Sequence, residues 1–373
     1  MKGVYDAYEL VAHHSESITP GEERYSGQKE RASGFRATKF AEKWALKPCI
    51  FGLENNRYFC YLNSMLQCVL NIGGFMTYYR QQRFLEITLT KPILKGLSFS
   101  KTIAQLCEEI DSKNLTLARA KQIKVIQPKQ LRRLLQKTFS PIMEHDAHEF
   151  LLSLFCNLRE ETTDKRINYP RDPKSTEFTP GRFPSFIDQN FITIENTQIL
   201  CQKCKHSENS LQYFTTLPLS VEGIHSIHDS IEHYSKPEEL SDYRCEGCKV
   251  MQNCQMRRKL VHLSDCLVIQ LQRFAQYPRL RKIRGLIKFD EYMDMGTICP
   301  DKVNPFQSIY ELKSIAVHLG TIYGGHYVAY CKKEDGQWYF MDDERVGKVS
   351  TEEVFRQDAY ILFYQKQRQD QGC

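Results

Sequence analysis

A cysteine, a histidine and two aspartates of this 373-residue chain lie in segments whose patterns would let them act together in acyl transfer. Cys60 precedes apolar residues at helical spacing, which predicts a thiol at a helix N-terminus, where unpaired N–H groups stabilise a thiolate. His326 begins a strand-like segment after two glycines, and Asp342 and Asp343 end the next one. Neighbouring strands would bring the imidazole against a carboxylate that fixes its orientation. These residues predict nucleophilic catalysis by a thiol.

Asn55 adds a possible oxyanion donor five residues before the thiol. Its side-chain amide could donate a hydrogen bond to a tetrahedral oxyanion, beside the backbone N–H of Cys60. Each residue taken alone has an ordinary structural interpretation, because buried cysteines are common in cores and an Asp-Asp pair is common in turns. Their joint occurrence in longer matching segments favours catalysis.

Four longer segments surround these residues: "GLENNRYFCYLNSMLQ" (52–67), "VHLGTIYGGHYVAY" (317–330), "WYFMDDERV" (338–346) and "HDAHEFL" (145–151). In this order, they resemble the cysteine box, the histidine box, the Trp-Tyr-x-Phe-Asp-Asp segment and the Gln-Asp-Ala-x-Glu-Phe box of the ubiquitin-specific proteases. The matching box residues are Gly52, Leu53, Asn55, Cys60, Tyr61, Asn63, Ser64, Gln67, His318, Gly320, Gly325, His326, Tyr327, Ala329 and Tyr330. The resemblance extends from about Phe51 to about Tyr364.

The resemblance implies a deubiquitinating cysteine protease that hydrolyses isopeptide or peptide bonds at the C-terminal glycine of ubiquitin. It implies Cys60 as nucleophile, His326 as general base and acid, and Asp342 as the third triad member. Asp343 would assist as a neighbour, and Asn55 would stabilise the oxyanion. A papain-like fold with thumb, palm and fingers is expected, with ubiquitin and ubiquitinated proteins as partners.

The resemblance also suggests where the C-terminal tail of ubiquitin would bind. Asp146 and Glu149, at the start of a predicted helix, are expected to accept hydrogen bonds from tail arginines, and complementarity to the helix dipole is the alternative. The tail ends in Gly-Gly, so a slot that excludes side chains would select it by shape. Gly324, Gly325 and Tyr327 are expected to line that slot.

The sequence departs from the family pattern beside the nucleophile. Arg57, Tyr58 and Phe59 replace the usual Gly-Asn-Thr, while His145 replaces Gln and Met341 replaces Phe. If the family glycine has a positive φ, an arginine there would cost on the order of 1–2 kcal/mol and could move the loop that carries Asn55. A catalytically impaired ubiquitin-binding scaffold is therefore the alternative function.

Two Cys-x-x-Cys pairs predict a structural metal site. Cys201, Cys204, Cys245 and Cys248 could hold Zn²⁺ through four thiolates, leaving no open position for chemistry. Ordinary reduced cysteines or redox pairs are the alternative, and Cys254 and His206 are further candidate ligands. The pairs lie where the family has its zinc-bearing fingers.

The order of elements predicts an α+β fold, because helical spacing dominates first and strand-like segments follow. Helices are expected from Leu62 onward, around Lys129 to Thr138 and around Asp146 to Leu158, and a surface loop from Glu160 to Phe183. The predicted organisation is a flexible extension (1–48), a catalytic domain (49–366) and a tail (367–373). The domain divides into a mainly helical thumb (49–190), fingers (191–260) and a palm (261–366).

Composition and charge argue against several other classes of protein. The net charge of +6 (51 minus 45) comes from scattered basic residues, which argues against nucleic acid, so a zinc-ribbon nucleic-acid-binding protein is the weakest alternative. No apolar run approaches the ~20 residues of a membrane-spanning helix, and the N-terminus has no apolar signal core. We therefore expect reduced cysteines and a soluble, intracellular monomer in the cytoplasm, the nucleus or both.

Overall fold

In the computed structural model of the protein, helices form most of the described residues between 60 and 191. The structure describes residues 49–88, 96–116, 124–164, 167, 183–275, 279–298 and 308–367. The predicted extension (1–48) lies outside these residues, as do most of the surface loop between Glu160 and Phe183 and nearly all of the tail (367–373).

The helices of the described residues follow the predicted order. They are α1 (Cys60–Leu70), α2 (Gly73–Arg80), α3 (Phe84–Thr88), α4 (Ser98–Thr116), α5 (Lys129–Leu135), α6 (Ala147–Thr162), α7 (Phe186–Phe191), α8 (Ile227–Ser235), α9 (Met295–Ile298) and α10 (Thr351–Val354). Every residue of α1 is buried, so this helix crosses the core and does not lie on its surface. The three helices expected from periodicity are confirmed within a few residues at their ends.

Strands dominate the described residues from 193 onward, and two short strands precede them. In chain order the strands are β1 (Phe51–Leu53), β2 (Lys124–Ile126), β3 (Thr193–Cys201), β4 (Ser207–Phe214), β5 (Leu217–Ser220), β6 (Glu238–Arg244), β7 (Met251–His262), β8 (Cys266–Gln272), β9 (Phe274–Ala275), β10 (Arg281–Lys282), β11 (Tyr292–Asp294), β12 (Ile309–Thr321), β13 (Gly324–Lys332), β14 (Trp338–Asp342), β15 (Arg345–Val349) and β16 (Ala359–Lys366). Two of the sheets have only two short strands each: β1 pairs with β2 in parallel, and β9 pairs with β10 antiparallel.

The large sheet has the order β15-β14-β13-β12-β16-β8-β5, with β11 paired to β12. Side chains alternate across its two faces. On β13, Ala329 and Cys331 pack into the core that contains α1 and α6, while Val328 and Tyr330 pack into a second core on the other face. Both faces of β13 are therefore covered by packed side chains. The two catalytic candidates lie on this strand and on its neighbour β14, at the end of each strand where burial is only partial.

The second sheet has four antiparallel strands in the order β4-β3-β7-β6. The four paired cysteines lie at one end of this sheet. Cys201 ends β3 and Cys204 lies in the turn after it, while Cys245 and Cys248 lie between β6 and β7. The strand β5, which also falls in the segment 191–260, pairs in parallel with β8 of the large sheet. The subdomain boundaries within residues 49–366 stay predictions.

Candidate active site

Cys60 is the first residue of α1, and its side chain is buried. Phe59 is the residue before the helix and offers no side-chain cap to the free N–H groups. The loop before it is held by Asn55, whose Oδ1 accepts hydrogen bonds from the backbone N–H groups of Arg57 and Phe59, each at 3.0 Å. The thiol therefore has the predicted position at a helix N-terminus, at the end of a loop fixed by one amide.

His326, on β13, is hydrogen-bonded to a carboxylate and lies near enough to the Cys60 thiol to interact with it electrostatically. Its Nε2 lies 2.6 Å from Asp342 Oδ1 at the end of β14, the strand paired with β13. Hydrogen bonding to the Cys60 side chain and to Asp342 raises the pKa of His326 to about 9, against the opposing effect of burial. The structure thus brings the thiol of Cys60 close to the imidazole of His326 and the carboxylate of Asp342, although Asp342 follows Cys60 by about 280 residues in the sequence.

Asp343 has a different set of partners from Asp342. Its carboxylate accepts hydrogen bonds from Asn55 Nδ2 at 2.7 Å and from Asn63 Nδ2 at 2.8 Å. Its Oδ2 lies 3.9 Å from His326 Nε2. Burial raises the pKa of Asp343, while the two amides act in the opposite direction. Asp343 therefore orients the loop before Cys60 more directly than it orients the histidine.

The turn after β14 is docked against the strand β1. The Leu53 N–H donates to the Asp343 carbonyl at 2.8 Å, and the Asn55 N–H donates to the Glu344 carboxylate. A Cβ added to Gly52 would lie 2.5 Å from the Glu344 carbonyl oxygen, so only glycine fits at this close approach. The roles of Asn63 and Glu344 were not predicted, although Asn63 belongs to the matched cysteine box.

Arg57 has a positive φ of 143°, the conformation expected of the glycine that it replaces. Its side chain and that of Tyr58 are exposed, whereas Phe59 is half-buried. The two hydrogen bonds to Asn55 use backbone N–H groups and do not depend on these side chains. Asn55 therefore keeps a defined orientation despite the departure from the family pattern.

Asp146 is the N-cap residue of α6. Its Oδ1 accepts from the backbone N–H groups of His148 and Glu149, and its Oδ2 accepts from the hydroxyls of Tyr327 and Tyr360. These four hydrogen bonds use the acceptor sites of the carboxylate. Glu149 is exposed in the first turn of the helix. The expected contacts of both residues with a substrate tail stay predictions.

The two glycines before His326 face protein atoms. A Cβ on Gly325 would lie 2.2 Å from the Leu319 carbonyl oxygen, so packing between β12 and β13 requires glycine there. Gly324 lies beside Glu144, whose carboxylate accepts the Gly325 N–H at 3.0 Å. Tyr327 is buried, with its hydroxyl on Asp146. Their predicted place along a substrate slot is untested, and the Glu144 contact was not predicted.

The four paired cysteines fit a tetrahedral metal site. All four Sγ atoms lie within 4.8 Å of one another, with 3.9 Å between Cys201 and Cys248 and 3.5 Å between Cys204 and Cys245. Four sulfurs at about 2.3 Å from a Zn²⁺ would be about 3.8 Å apart. Cys254 packs beside this group without belonging to it, and His206 lies near Glu208. The cluster can hold a metal ion.

The sequence model of the ubiquitin carboxyl-terminal hydrolases matches residues 51–364, which is most of the chain. The chain belongs to the ubiquitin carboxyl-terminal hydrolase family. Ubiquitin carboxyl-terminal hydrolase 8 of Saccharomyces cerevisiae is 25% identical over 331 residues, covering 84% of this chain and 70% of that protein. Ubiquitin carboxyl-terminal hydrolase 23 of Arabidopsis thaliana is 27% identical over 329 residues, covering 86% of this chain but 36% of that protein.

Solved structures give the same fold. A chain of the SAGA DUB module Ubp8/Sgf11/Sus1/Sgf73 bound to monoubiquitin matches with a TM-score of 0.67 at 23% identity, covering 88% of this chain and 74% of that one. The module bound to ubiquitin aldehyde matches with a TM-score of 0.66 at 24% identity, covering 87% and 72%.

The family membership confirms the predicted class of deubiquitinating hydrolase, and the structural likeness confirms the α+β fold of the ubiquitin-specific proteases. Within the described residues, the structure contains no helix with the length and apolar character needed to span a membrane.

Proposed function

We propose that the protein is a thiol-dependent deubiquitinase that removes ubiquitin from protein conjugates. The observation that carries the proposal is the hydrogen bond of 2.6 Å between the His326 imidazole and the Asp342 carboxylate, beside a Cys60 thiol that helps to raise the pKa of His326. A dead scaffold would not need an imidazole held in this way between a thiol and an acid. The raised pKa of His326 favours the imidazolium, which stabilises a neighbouring thiolate.

The proposed reaction begins when the Cys60 sulfur attacks the carbonyl carbon of the ubiquitin C-terminal glycine. Because Nε2 of His326 is bound to Asp342, its Nδ1 is the nitrogen that exchanges a proton with the sulfur and then with the leaving amine. Asn55 has two amide hydrogens, and one donates to Asp343, so the other serves the oxyanion with the Cys60 N–H. Water then hydrolyses the thioester, and His326 acts as base again.

The cysteine cluster is proposed to hold a structural Zn²⁺. Cys201, Cys204, Cys245 and Cys248 would bind it as thiolates, which would tie the end of the four-stranded sheet together. The ion would supply no chemistry at the active site. We propose ubiquitin and its conjugates as partners of a monomer, with no nucleic acid or membrane partner, in the cytoplasm or the nucleus.

The test uses ubiquitin with a C-terminal electrophile and ubiquitin with a C-terminal fluorogenic amide. We expect one covalent adduct by intact mass and release of the fluorophore, both lost in Cys60→Ala, with turnover strongly reduced in His326→Ala. An adduct without turnover would support the impaired scaffold. The absence of adduct and turnover would refute the proposed activity.

A further inference from the structure

Arg132, on α5, contacts both ends of the loop that leads to the nucleophile. One end is the Glu54 carbonyl, which accepts a hydrogen bond from Arg132 Nη2. The other end is the Phe59 ring, whose centroid lies 4.3 Å from the Arg132 guanidinium carbon. Glu54 immediately precedes Asn55, and Phe59 immediately precedes Cys60. A single side chain thus bridges the neighbours of the two residues that would surround an oxyanion.

The environment of Arg132 argues against a purely stabilising role. Its side chain is only 9% exposed, and its Nε has no hydrogen-bond partner among the described residues. The nearest carboxylate oxygen of Glu54 is 4.0 Å away. A buried cation with an unpaired N–H is a costly way to stabilise a fold, and an apolar side chain of similar size is often as stable.

The loop between these two ends has a strained backbone, so contacts from outside the loop help to hold its conformation. Its middle contains Arg57, which is held at a φ of 143°. Its conformation is fixed from within by Asn55 Oδ1, which accepts the N–H of Phe59 at 3.0 Å. If Phe59 moved, this acceptor would lose one of its two backbone partners, and only the Arg57 N–H and Asp343 would still orient the Asn55 amide. The cation–π contact opposes that movement, and such contacts are stronger when desolvated.

We propose that Arg132 is a positioning residue for the oxyanion site, acting through Glu54 and Phe59 on Asn55 and the Cys60 N–H. This inference rests on the proposed deubiquitinase function. It assigns to Arg132 an effect on the rate of the acyl-transfer step and not on ubiquitin binding. The residue touches neither the substrate nor the reacting atoms.

The test separates oxyanion formation from the other requirements of the site. Arg132→Met keeps a long buried side chain but removes the charge and the donors. Its kcat and KM are measured with ubiquitin bearing a fluorogenic amide, whose hydrolysis passes through a tetrahedral oxyanion. In parallel, Cys60 is alkylated by ubiquitin bearing a C-terminal bromoethyl group, where the sulfur displaces bromide directly and no oxyanion forms. The matched control is Arg133→Met, on the next residue of the same helix, whose side chain is exposed.

We expect Arg132→Met to lose kcat by about 10- to 100-fold, because removal of an oxyanion donor itself costs on the order of 100- to 1,000-fold. KM and the alkylation rate should change by less than about threefold, and Arg133→Met should resemble the wild type in all measurements. An equal loss of turnover and alkylation would mean a general structural role and overturn the proposal, as would an unchanged kcat. If the wild type shows neither reaction, the proposed function itself fails, and this result is visible before any variant is compared.

Discussion

The substitution Arg57→Gly provides a direct test of backbone strain in the loop before Cys60. Arg57 has a φ of 143°, and its exposed guanidinium forms no ion pair with any described residue. A non-glycine residue at positive φ costs on the order of 1–2 kcal/mol. Glycine removes this strain but increases the entropy of the unfolded chain, which costs roughly 0.5–1 kcal/mol. The net expectation is a free energy of unfolding higher by about 0.5–1 kcal/mol.

The measurement is urea-induced unfolding of Arg57→Gly beside Arg57→Ala, with the metal content of all samples held equal. Alanine also removes the guanidinium but keeps a Cβ at the strained φ, so it should leave the free energy of unfolding within about 0.5 kcal/mol of the wild type. Turnover of the fluorogenic ubiquitin amide should stay within about threefold in both variants, because the backbone N–H of residue 57 still donates to Asn55. Equal stabilisation by glycine and alanine would refute the argument from backbone strain.

Two further predictions concern pH and metal. The raised pKa of His326 means that its pairing stabilises the fold fully below about pH 6.5 and that this stabilisation is lost as pH rises through about 9. The pH profile of kcat/KM should therefore lose activity near pH 9, and Asp342→Asn should move this alkaline limb to lower pH; an unmoved limb would contradict the assignment. For the metal, elemental analysis should find about one Zn²⁺ per chain in the wild type and in Cys254→Ala, but much less in Cys204→Ala. Removal of the ion by a chelator should speed hydrogen exchange in residues 193–214 and 238–262, which form the four-stranded sheet, and leave residues 309–366 protected. Equal effects on the two sheets would count against a local structural site.

The sequence predicted the candidate site where local patterns fix the position of a side chain. Helical spacing after residue 60 is enough to place Cys60 at the start of α1, and two neighbouring strand-like segments are enough to bring His326 near Asp342. The resemblance raised a positive φ at residue 57 as a condition, because the family has a glycine there, and Arg57 does have a positive φ. Each of these features depends on residues close together in the chain.

The contacts that join distant segments were not predictable in the same way. Asn63 and Asp343 are 280 residues apart, and nothing in the sequence near either residue specifies the other. Glu144 reaches Gly325 across 181 residues. Arg132 lies on a short amphipathic helix, where an arginine is normally a solvent-facing residue. These partners depend on how the helical part docks on the large sheet, which periodicity does not determine.

The loop before the nucleophile shows why a departure from a motif need not imply loss of function. The loop is fixed by hydrogen bonds that do not involve the side chains of residues 57–59. Asn55 Oδ1 accepts hydrogen bonds from two backbone N–H groups, and Asp343 orients Asn55 by accepting a hydrogen bond from its Nδ2. Side chains there can change as long as the backbone conformation is kept, and Arg57 keeps it at an energetic cost. Strain of this size persists only when the surroundings over-determine the conformation. In this protein, Asp343 and Arg132 contact the loop from outside, so the proposed catalytic geometry depends on residues that the cysteine box alone does not include.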